Sequence, residues 1–182
     1  MRQVATREDY YAAAMQILAT QGAGGLKLSV LCTAVKVTTG SFYGYFGSFD
    51  GFVEQFLTFW KEQQTERLVA VANLPEDPVE RVHTMKRLGR SLPHSAEAAI
   101  RSWAHTNAAV AIAQKGVDER RVDSLIQLFE PIVGSREHAE SLAVLGITLL
   151  VGLQDWRSPV TEADFDRIFD VYERAILATR PA

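Results

Sequence analysis

Apolar residues recur every three or four positions along most of the chain, which is the period of an amphipathic α-helix. A stripe of this kind begins near Phe49 and predicts a long helix that continues to about Asn73. An earlier stripe is formed by Tyr11, Ala14, Met15 and Leu18. No segment alternates between apolar and polar residues for long enough to predict a β-strand. The pattern therefore predicts an all-α fold of about nine helices, three of them short and near the N-terminus.

Residues with capping side chains mark the starts of several predicted helices. Asp77 precedes Pro78 and lies three residues before Glu80, a combination typical of a helix N-terminus. Thr161 and Asp164 have the spacing of a capping box at the start of the last helix. Three further helices are predicted to be capped by Ser95, Asn107 and Ser135. These caps divide the C-terminal part of the chain into separate helices.

Residues 28–46 are predicted to form two short helices joined by a turn at 34–37. Thr38 is predicted to cap the second helix with its hydroxyl. Phe42 and Phe46 share one face of that helix and are expected to point inward, because so short a helix needs tertiary anchoring. The opposite side carries small or polar residues and a tyrosine: Thr39, Gly40, Tyr43 and Gly44. Such a surface allows close approach of a phosphate group, which the exposed N–H groups of a helix N-terminus attract.

The composition is that of a globular protein, since 47% of the 182 residues are hydrophobic and 23% are charged. The net charge of −3 does not point to nucleic acid, and residues 1–50 carry four basic against three acidic side chains. A single cysteine, Cys32, excludes an intrachain disulfide and favours a reducing cytoplasm. The N-terminus lacks the apolar run of a signal peptide, and the most apolar stretch, residues 142–153, is too short to span a bilayer. We therefore expect a cytoplasmic protein without a membrane segment.

The sequence offers little support for metal binding or covalent catalysis. No two of its histidines have the i, i+4 spacing of a helical zinc site. They lie on separate predicted helices or at helix ends, at positions His83, His94, His105 and His138. The chain also lacks a glycine-rich phosphate loop and a nucleophile elbow. We therefore expect no enzymatic activity, no catalytic residue, no bound metal and no cofactor.

A longer pattern begins with Arg7, Tyr10 and Tyr11 and continues through Ala13, Ala14 and Gly22. It ends in the run LSVLCTAVKVTTGSFYGYFGS, residues 28–48. The characteristic positions in this run are Val37, Gly40, Ser41, Tyr43 and Phe46. The pattern covers roughly residues 7–57 and resembles the DNA-binding region of the TetR family of transcriptional regulators. Residues 99–107 and the two apolar helices at the C-terminal end are similar to the regulatory domain of the same family.

The resemblance implies a helix-turn-helix DNA-binding domain at 1–47 and a larger domain for ligand binding and dimerisation at 48–182. It implies a ligand-responsive transcriptional regulator, most simply a repressor that a small apolar or aromatic molecule releases from its operator. The expected partners are a double-stranded, palindromic DNA operator, a small-molecule effector and a second copy of the chain in a homodimer.

The resemblance also suggests residues for each of these functions. Nine residues in and around the two short helices are expected to contact DNA: Lys27, Ser29, Lys36, Thr38, Thr39, Gly40, Tyr43, Tyr45 and Ser48. Eight residues of the larger helices are expected to contact the effector: Trp60, Gln63, Thr84, Met85, Trp103, His105, Asn107 and Phe129. Seven residues of the last two helices are expected to form the dimer interface: Leu142, Leu145, Leu149, Leu153, Phe165, Phe169 and Tyr172.

Two alternative functions remain open. Phe49 stands where the family usually has a lysine that touches phosphate. Together with the scant positive charge, this favours a helical ligand-binding or adaptor protein whose DNA-binding face has decayed. Lys27 and Lys36 instead favour DNA binding, since each cation near a phosphate releases counterions. The second alternative, a small all-α enzyme, requires a convergent acid–base set inside the predicted cavity.

Overall fold

The structure, a computed structural model, describes residues 5–179. These residues form ten α-helices and no β-strand, which confirms the predicted all-α fold. The helices are α1 (Arg7–Gln21), α2 (Leu28–Val35), α3 (Thr39–Phe46), α4 (Phe49–Lys61), α5 (Arg67–Ala72), α6 (Pro78–Arg90), α7 (His94–Ala104), α8 (Ala108–Val133), α9 (Arg136–Trp156) and α10 (Glu162–Ala178). A 3-10 turn, Ala23–Gly25, precedes α2, and a π-helical segment, Glu62–Glu66, lies between α4 and α5.

The helical run from residue 49 to residue 72 is continuous and comprises α4, the π-helical segment and α5. The hydrophobic stripe predicts a single helix here that ends at about Asn73, and the outer bounds agree with that prediction. The structure has ten helices rather than nine because the π-helical segment divides this run. A π turn closes i→i+5 hydrogen bonds and leaves no mark on helical hydrophobic spacing over so short a length.

Four of the predicted helix caps are present. Amides of the first turn donate hydrogen bonds to the side chains of Asp77, Asn107, Ser135 and Thr161. The prediction for α7 is wrong, since this helix begins at His94 and Ser95 lies inside its first turn. The residue before the helix is Pro93, whose ring fixes φ near the helical value and so allows a start without a hydroxyl cap.

The helices divide into two compact units. The first unit consists of residues 5–60 and 93–114 and contains α1 to α3, nearly all of α4, α7 and the start of α8. The second consists of residues 61–92 and 115–179 and contains the π-helical segment, α5, α6, most of α8, α9 and α10. The domain boundary expected near residue 47 is a division by function, and it remains a prediction.

Aromatic rings fill the core of the first unit. The rings of Tyr10, Phe42 and Phe46 are buried, and their centroids lie 5.0–5.8 Å apart in tilted or edge-to-face arrangements. Phe52 of α4 joins them, with its centroid 5.1 Å from that of Phe46. Ring pairs of this kind stabilise a core beyond the burial of their apolar area. The cluster joins α1, α3 and α4 and thereby fixes the short helix α3.

The core of the second unit combines aliphatic and aromatic side chains. In this unit α6 packs against α5 and α10, and α10 packs against α9. Phe165 and Phe169 of α10 stack with their centroids 4.1 Å apart, and Phe129 of α8 meets Tyr172 edge-on at 6.2 Å. Gly146 of α9 lies directly against Tyr172, so that a side-chain carbon at position 146 would overlap the phenol. The absence of a side chain at this glycine therefore allows α9 and α10 to approach closely.

Only α9, among the helices in residues 5–179, is long and apolar enough to cross a membrane. Its most apolar 18-residue window has a mean hydropathy of 1.2, and 39% of that window is buried within the protein. Core helices of soluble proteins can have the same length and hydropathy. The helix is therefore weak evidence for a membrane segment.

Candidate functional site

A tight turn joins α2 to α3. Lys36 adopts the left-handed backbone conformation, with φ 60° and ψ 43°. The amide of Val37 donates to the carbonyl of Cys32 at 3.0 Å, and the hydroxyl of Thr38 accepts from the amide of Ser41 at 3.2 Å. A side chain in the left-handed region costs about 1 kcal/mol relative to glycine. Glycine avoids this cost, so Lys36 occupies a turn position that glycine would adopt more easily.

The two sides of α3 differ as the sequence predicts. Phe42 and Phe46 are buried, whereas Tyr43 keeps 48% of its surface exposed. The other exposed residues of this side are Thr39, Gly40 and Gly44. A side-chain carbon added at Gly40 would meet only the hydroxyl of Thr38, at 3.8 Å. The outward side of α3 is thus small, polar and sterically open.

Eight of the nine predicted DNA-contacting residues are exposed in the first unit: Lys27, Ser29, Lys36, Thr38, Thr39, Gly40, Tyr43 and Ser48. Lys27 and Lys36 form no ion pair with any residue that the structure describes. Ser48 has a local role as well, because its hydroxyl accepts from the amide of Gly51 at 2.9 Å. These positions are available to a partner, and their contact with DNA stays a prediction.

Tyr45, the ninth residue, is half-buried and already has partners within its unit. Its hydroxyl donates to the carbonyl of Ala5 at 2.5 Å, and its own carbonyl accepts from the guanidinium of Arg7 at 3.2 Å. The same guanidinium lies 5.8 Å from the centre of the Tyr45 ring. The hydroxyl that was expected to meet phosphate therefore fastens the residues before α1, and a phosphate contact would have to displace this hydrogen bond.

The first unit carries no excess of positive charge, since residues 5–60 and 93–114 contain four basic and five acidic side chains. Any binding of phosphate by this unit must therefore rely on local groups. These groups are the exposed hydroxyls of α3, the amides at its N-terminus, and Lys27 and Lys36, which form no ion pair with a described residue.

The second unit contains a partly open cavity of about 110 Å³. Its wall is formed by side chains from the π-helical segment and from α5, α6, α8, α9 and α10, and most of the wall is apolar. Examples are Leu68, Met85, Leu125, Phe129, Leu150, Phe165 and Phe169. A wall of this composition suits an apolar molecule, which a small number of polar groups would orient.

The charged side chains at one part of this wall are paired with each other. The ammonium of Lys86 lies 2.8 Å from a carboxylate oxygen of Asp170 and 2.5 Å from one of Glu173. His83 contacts Glu173 through Nδ1 at 2.8 Å. Burial alone would lower the pKa of Lys86, but its hydrogen bonds to the two carboxylates outweigh burial and raise that pKa. In residues 5–179, no three His, Cys, Asp or Glu side chains are grouped so that they could hold a metal ion.

The hydroxyl groups of the wall differ in whether they have partners. The hydroxyl of Tyr172 donates to the carbonyl of Leu142, and burial raises its pKa far above the ordinary value. Ser124 donates to the carbonyl of Arg120 at 2.6 Å and accepts from the guanidinium of the same residue at 2.8 Å. Thr65 is 1% exposed, and its hydroxyl has no hydrogen-bond partner. Among the wall hydroxyls that the structure describes, only that of Thr65 is unused.

The wall contains two of the eight residues predicted to contact an effector, Met85 and Phe129. The other six lie elsewhere: Trp60, Gln63, Thr84, Trp103, His105 and Asn107. Two of these have structural roles, since Asn107 caps α8 and the hydroxyl of Thr84 accepts from the guanidinium of Arg87 at 2.8 Å. Contact with a ligand in this cavity is therefore supported for Met85 and Phe129 alone.

Five of the seven residues predicted for a dimer interface are buried in the second unit itself: Leu142, Leu153, Phe165, Phe169 and Tyr172. The last three line the cavity. Large apolar residues have the same helical spacing in a core, a cavity wall and an interface, so the sequence pattern does not separate these uses. Leu145 is 44% exposed and Leu149 is half-buried, which leaves both available to a partner.

The chain is similar in structure to several solved transcriptional regulators. A TetR transcriptional regulator from Legionella pneumophila matches with a TM-score of 0.79 and 16% sequence identity, over 100% of both chains. A TetR-family regulator from Agrobacterium tumefaciens matches with a TM-score of 0.78 and 16% identity, over 97% of each chain. A transcriptional regulator from Rhodococcus sp. Rha1 matches with a TM-score of 0.77 and 19% identity, over 98% of this chain and 99% of that chain. No family model matches the sequence, and no curated protein matches it.

These similarities extend over nearly the whole chain and include both compact units. The protein therefore has the fold of TetR-family transcriptional regulators, which confirms the fold implied by the sequence resemblance. Within this fold, α2 and α3 are the pair that the sequence resemblance identifies as the helix-turn-helix.

Proposed function

We propose that this protein is a DNA-binding transcriptional regulator that responds to a small molecule. The observation that carries the proposal is the outward side of α3, which is small, polar and sterically open on a helix anchored by the buried rings of Phe42 and Phe46. The TetR fold supports it, and so does the apolar cavity in the second unit, because the two together supply a DNA-reading helix and a place for an effector.

In the proposed complex, α3 enters the major groove of the operator. Thr39, Gly40 and Tyr43 face the DNA, and the hydroxyl of Tyr43 meets a phosphate. Gly40 permits close approach of the helix to the bases because it has no side chain and nothing covers it. Lys27 and Lys36 are assigned to phosphates, since both are exposed and neither forms an ion pair with another described residue.

A homodimer is the second element of the proposal. Val144 and Leu145 of α9 and Val171 of α10 are large apolar side chains that remain about half exposed. Apolar surface of this kind often marks an interaction site, and pairing about a two-fold axis would cover it on both subunits. Two copies of α3 would then suit two half-sites of a palindromic operator.

Light scattering at micromolar concentration tests the homodimer, and we expect the mass of a dimer. Leu145→Lys is expected to shift that mass toward a monomer because it places a charge in the proposed interface, while Leu149 and the core stay intact. A monomer mass for the parent chain would remove both the dimer and the palindromic operator.

The response to the effector is proposed to follow from unequal affinity for two conformations. The effector binds the cavity of the second unit and favours a conformation that does not fit the operator. The helical run from residue 49 to residue 72 includes residues of both units, and we propose that its displacement carries the signal. By linkage, bound DNA then weakens effector binding by the same factor. In this arrangement the protein is a cytoplasmic repressor that the effector releases from DNA.

Selection of bound duplexes from a random pool tests DNA binding directly. We expect one palindromic sequence to be enriched and its affinity to fall as salt rises. With Lys27 and Lys36 in each of two subunits, about four phosphates are neutralised, which predicts a log–log salt slope of roughly −4. If a folded sample enriches no sequence, the proposal fails, and a helical ligand-binding protein is the better interpretation.

A further inference from the structure

We infer that the cavity of the second unit takes an uncharged, mostly apolar molecule no larger than about one ring, with one hydrogen-bonding atom that pairs with the hydroxyl of Thr65. The inference rests on the proposed function in one respect, because it names the chemistry of the effector. The cavity, its charges and the unused hydroxyl are properties of the second unit alone, so they can be tested without DNA.

The size limit follows from the cavity volume. The cavity measures about 110 Å³. An engineered apolar cavity of roughly 150 Å³ in another protein binds benzene. A single ring is therefore about the largest group that this volume accommodates without movement of the wall.

The preference for an uncharged molecule follows from the pairing of the wall charges. Lys86 contacts two carboxylates, those of Asp170 and Glu173, and Glu173 also contacts His83. Arg121, the other basic residue of the wall, has an interaction of its own as well. An anionic ligand would therefore have to compete with these existing interactions and lose its hydration at a mostly apolar wall, a cost that the single neutral hydroxyl of Thr65 offsets only in part.

The hydrogen-bonding group proposed for the ligand, the hydroxyl of Thr65, is left unpaired by the π-helical segment. Four threonines in the regular helices donate their hydroxyls to the carbonyl four residues earlier at 2.8–3.0 Å: Thr20, Thr33, Thr58 and Thr148. The hydroxyl of Thr84, in α6, accepts from Arg87 and so also has a partner within its own helix. Thr65 lies inside the π-helical segment, where the amide of Arg67 donates to the carbonyl of Glu62, and its hydroxyl makes no such bond. The local backbone thus leaves one hydroxyl of the cavity wall without the partner that helical threonines usually find in their own helix.

A buried hydroxyl without a partner is costly, and a molecule that supplies a partner removes that cost. A ligand with a hydroxyl or carbonyl group gains this hydrogen bond after Thr65 turns about its Cα–Cβ bond toward the occupant. A purely apolar ligand of the same shape fills the cavity but leaves the hydroxyl unpaired. The structure therefore predicts discrimination between two ring molecules that differ in one polar atom.

Three probes of similar size measure this discrimination: phenol, toluene and benzoate, titrated calorimetrically into the full chain without DNA at neutral pH. We expect phenol to bind about tenfold more tightly than toluene, which corresponds to one hydrogen bond. Benzoate is expected to bind more weakly than either probe. Equal affinity for phenol and toluene, or no binding of any probe, would overturn the inference. Tighter binding of benzoate would overturn the argument from charge pairing.

Two variants assign the effect to the hydroxyl. Thr65→Val keeps the shape of the side chain and is expected to lose the tenfold preference for phenol, with toluene binding unchanged or tighter. Thr65→Ser keeps the hydroxyl and is expected to retain the preference, which controls for any change in folding. If Thr65→Val still prefers phenol, Thr65 is not the anchor. Because DNA is absent, these outcomes are independent of operator selection, so the inference and the proposed function can fail separately.

Discussion

The two compact units differ in how completely their cores are filled. In the first, the ring of Tyr10 is closely surrounded by those of Phe42, Tyr45 and Phe46, at centroid distances of 5.8, 5.7 and 5.1 Å. In the second, the helices leave a cavity of about 110 Å³ beside the stacked rings of Phe165 and Phe169. The filled core of the first unit keeps the outward side of α3 in one conformation. The free energy of the second unit, in contrast, changes when a ligand fills its cavity.

The free-energy cost of the cavity to the second unit can be estimated from its volume. A closed cavity in a protein core costs about 24 cal/mol per Å³, so about 2–3 kcal/mol is the upper limit of the cost of this partly open cavity to the second unit. A ligand that fills it recovers part of that free energy. We therefore expect ligand binding to stabilise the second unit, while binding by the first unit depends on the side chains it presents on α3.

The largest expected effect is a loss of operator binding on substitution of the outward side of α3 in the first unit. Gly40→Glu places a carboxylate against the DNA and is expected to weaken operator binding by more than about a hundredfold, or roughly 3 kcal/mol, through charge repulsion and bulk. The fold should be unaffected, because a carbon added at Gly40 makes only an ordinary van der Waals contact, with the hydroxyl of Thr38 at 3.8 Å. A mobility-shift titration measures the affinity, and thermal unfolding measures the stability.

The control for this substitution carries the same charge on the same unit. Ala109→Glu adds a carboxylate at an exposed position near the start of α8 and should leave operator affinity within about a few fold. A Gly40→Glu variant that folds and binds the operator as well as the parent would show that α3 does not read DNA.

The first unit was the more predictable of the two from sequence. The inward and outward sides of α3 follow from Phe42 and Phe46 at i, i+4 and from the cap at Thr38, all of which are local features. The engagement of Tyr45 was not predictable, since its partner Ala5 lies forty residues away in the chain. Local patterns therefore predict which side of a short helix is buried. They do not predict which side-chain hydroxyls form hydrogen bonds with backbone that is far away in the sequence.

The cavity could not be predicted, for two physical reasons. A cavity is a gap between helices, and its wall residues Phe165 and Phe169 have the spacing of any buried stripe. The role of Thr65 depends on the π-helical segment. Thr65 lies five residues after Trp60, and both are buried, which is the spacing of a π turn rather than the three or four residues of a regular α-helix. No residue in this segment signals that change of register.

The second prediction tests how tightly the second unit is packed around its cavity. Gly146→Ala adds a carbon that would lie against the hydroxyl of Tyr172 and within 2.8 and 3.0 Å of two of its ring carbons. The ring is buried and hydrogen-bonded to Leu142, so it has little room to move. We expect a loss of about 1–3 kcal/mol in the free energy of unfolding, typical of overpacking. Chemical denaturation measures it.

Gly116→Ala is the matched control for this prediction. Gly116 lies inside α8, and an added carbon would meet no atom within 4 Å. Here the higher helix propensity of alanine should dominate and raise the free energy of unfolding by roughly 0.5–1 kcal/mol. Opposite signs at the two glycines are expected. If Gly146→Ala also stabilises the protein, α9 and α10 are packed less closely than the structure indicates.

The smallest expected effect is that of substituting Lys36 in the first unit, where the contribution of backbone conformation to stability can be separated from the contribution of charge to DNA binding. Lys36 adopts a left-handed conformation that glycine tolerates better, and its ammonium is proposed to contact phosphate. Lys36→Gly should raise the free energy of unfolding by roughly 0.5–1 kcal/mol. It should also weaken operator binding and flatten the salt slope by about one ion per subunit.

Lys36→Ala distinguishes these two causes, because it removes the charge but keeps a β-carbon in the left-handed conformation. It should reproduce the loss of DNA affinity and of salt dependence without the gain in stability. A salt slope that is unchanged in both variants would assign Lys36 to solvent, and Lys27 would then remain as the one proposed phosphate-binding lysine on each subunit. A gain in stability for glycine but not for alanine would show that this lysine strains the turn, whether or not it touches DNA.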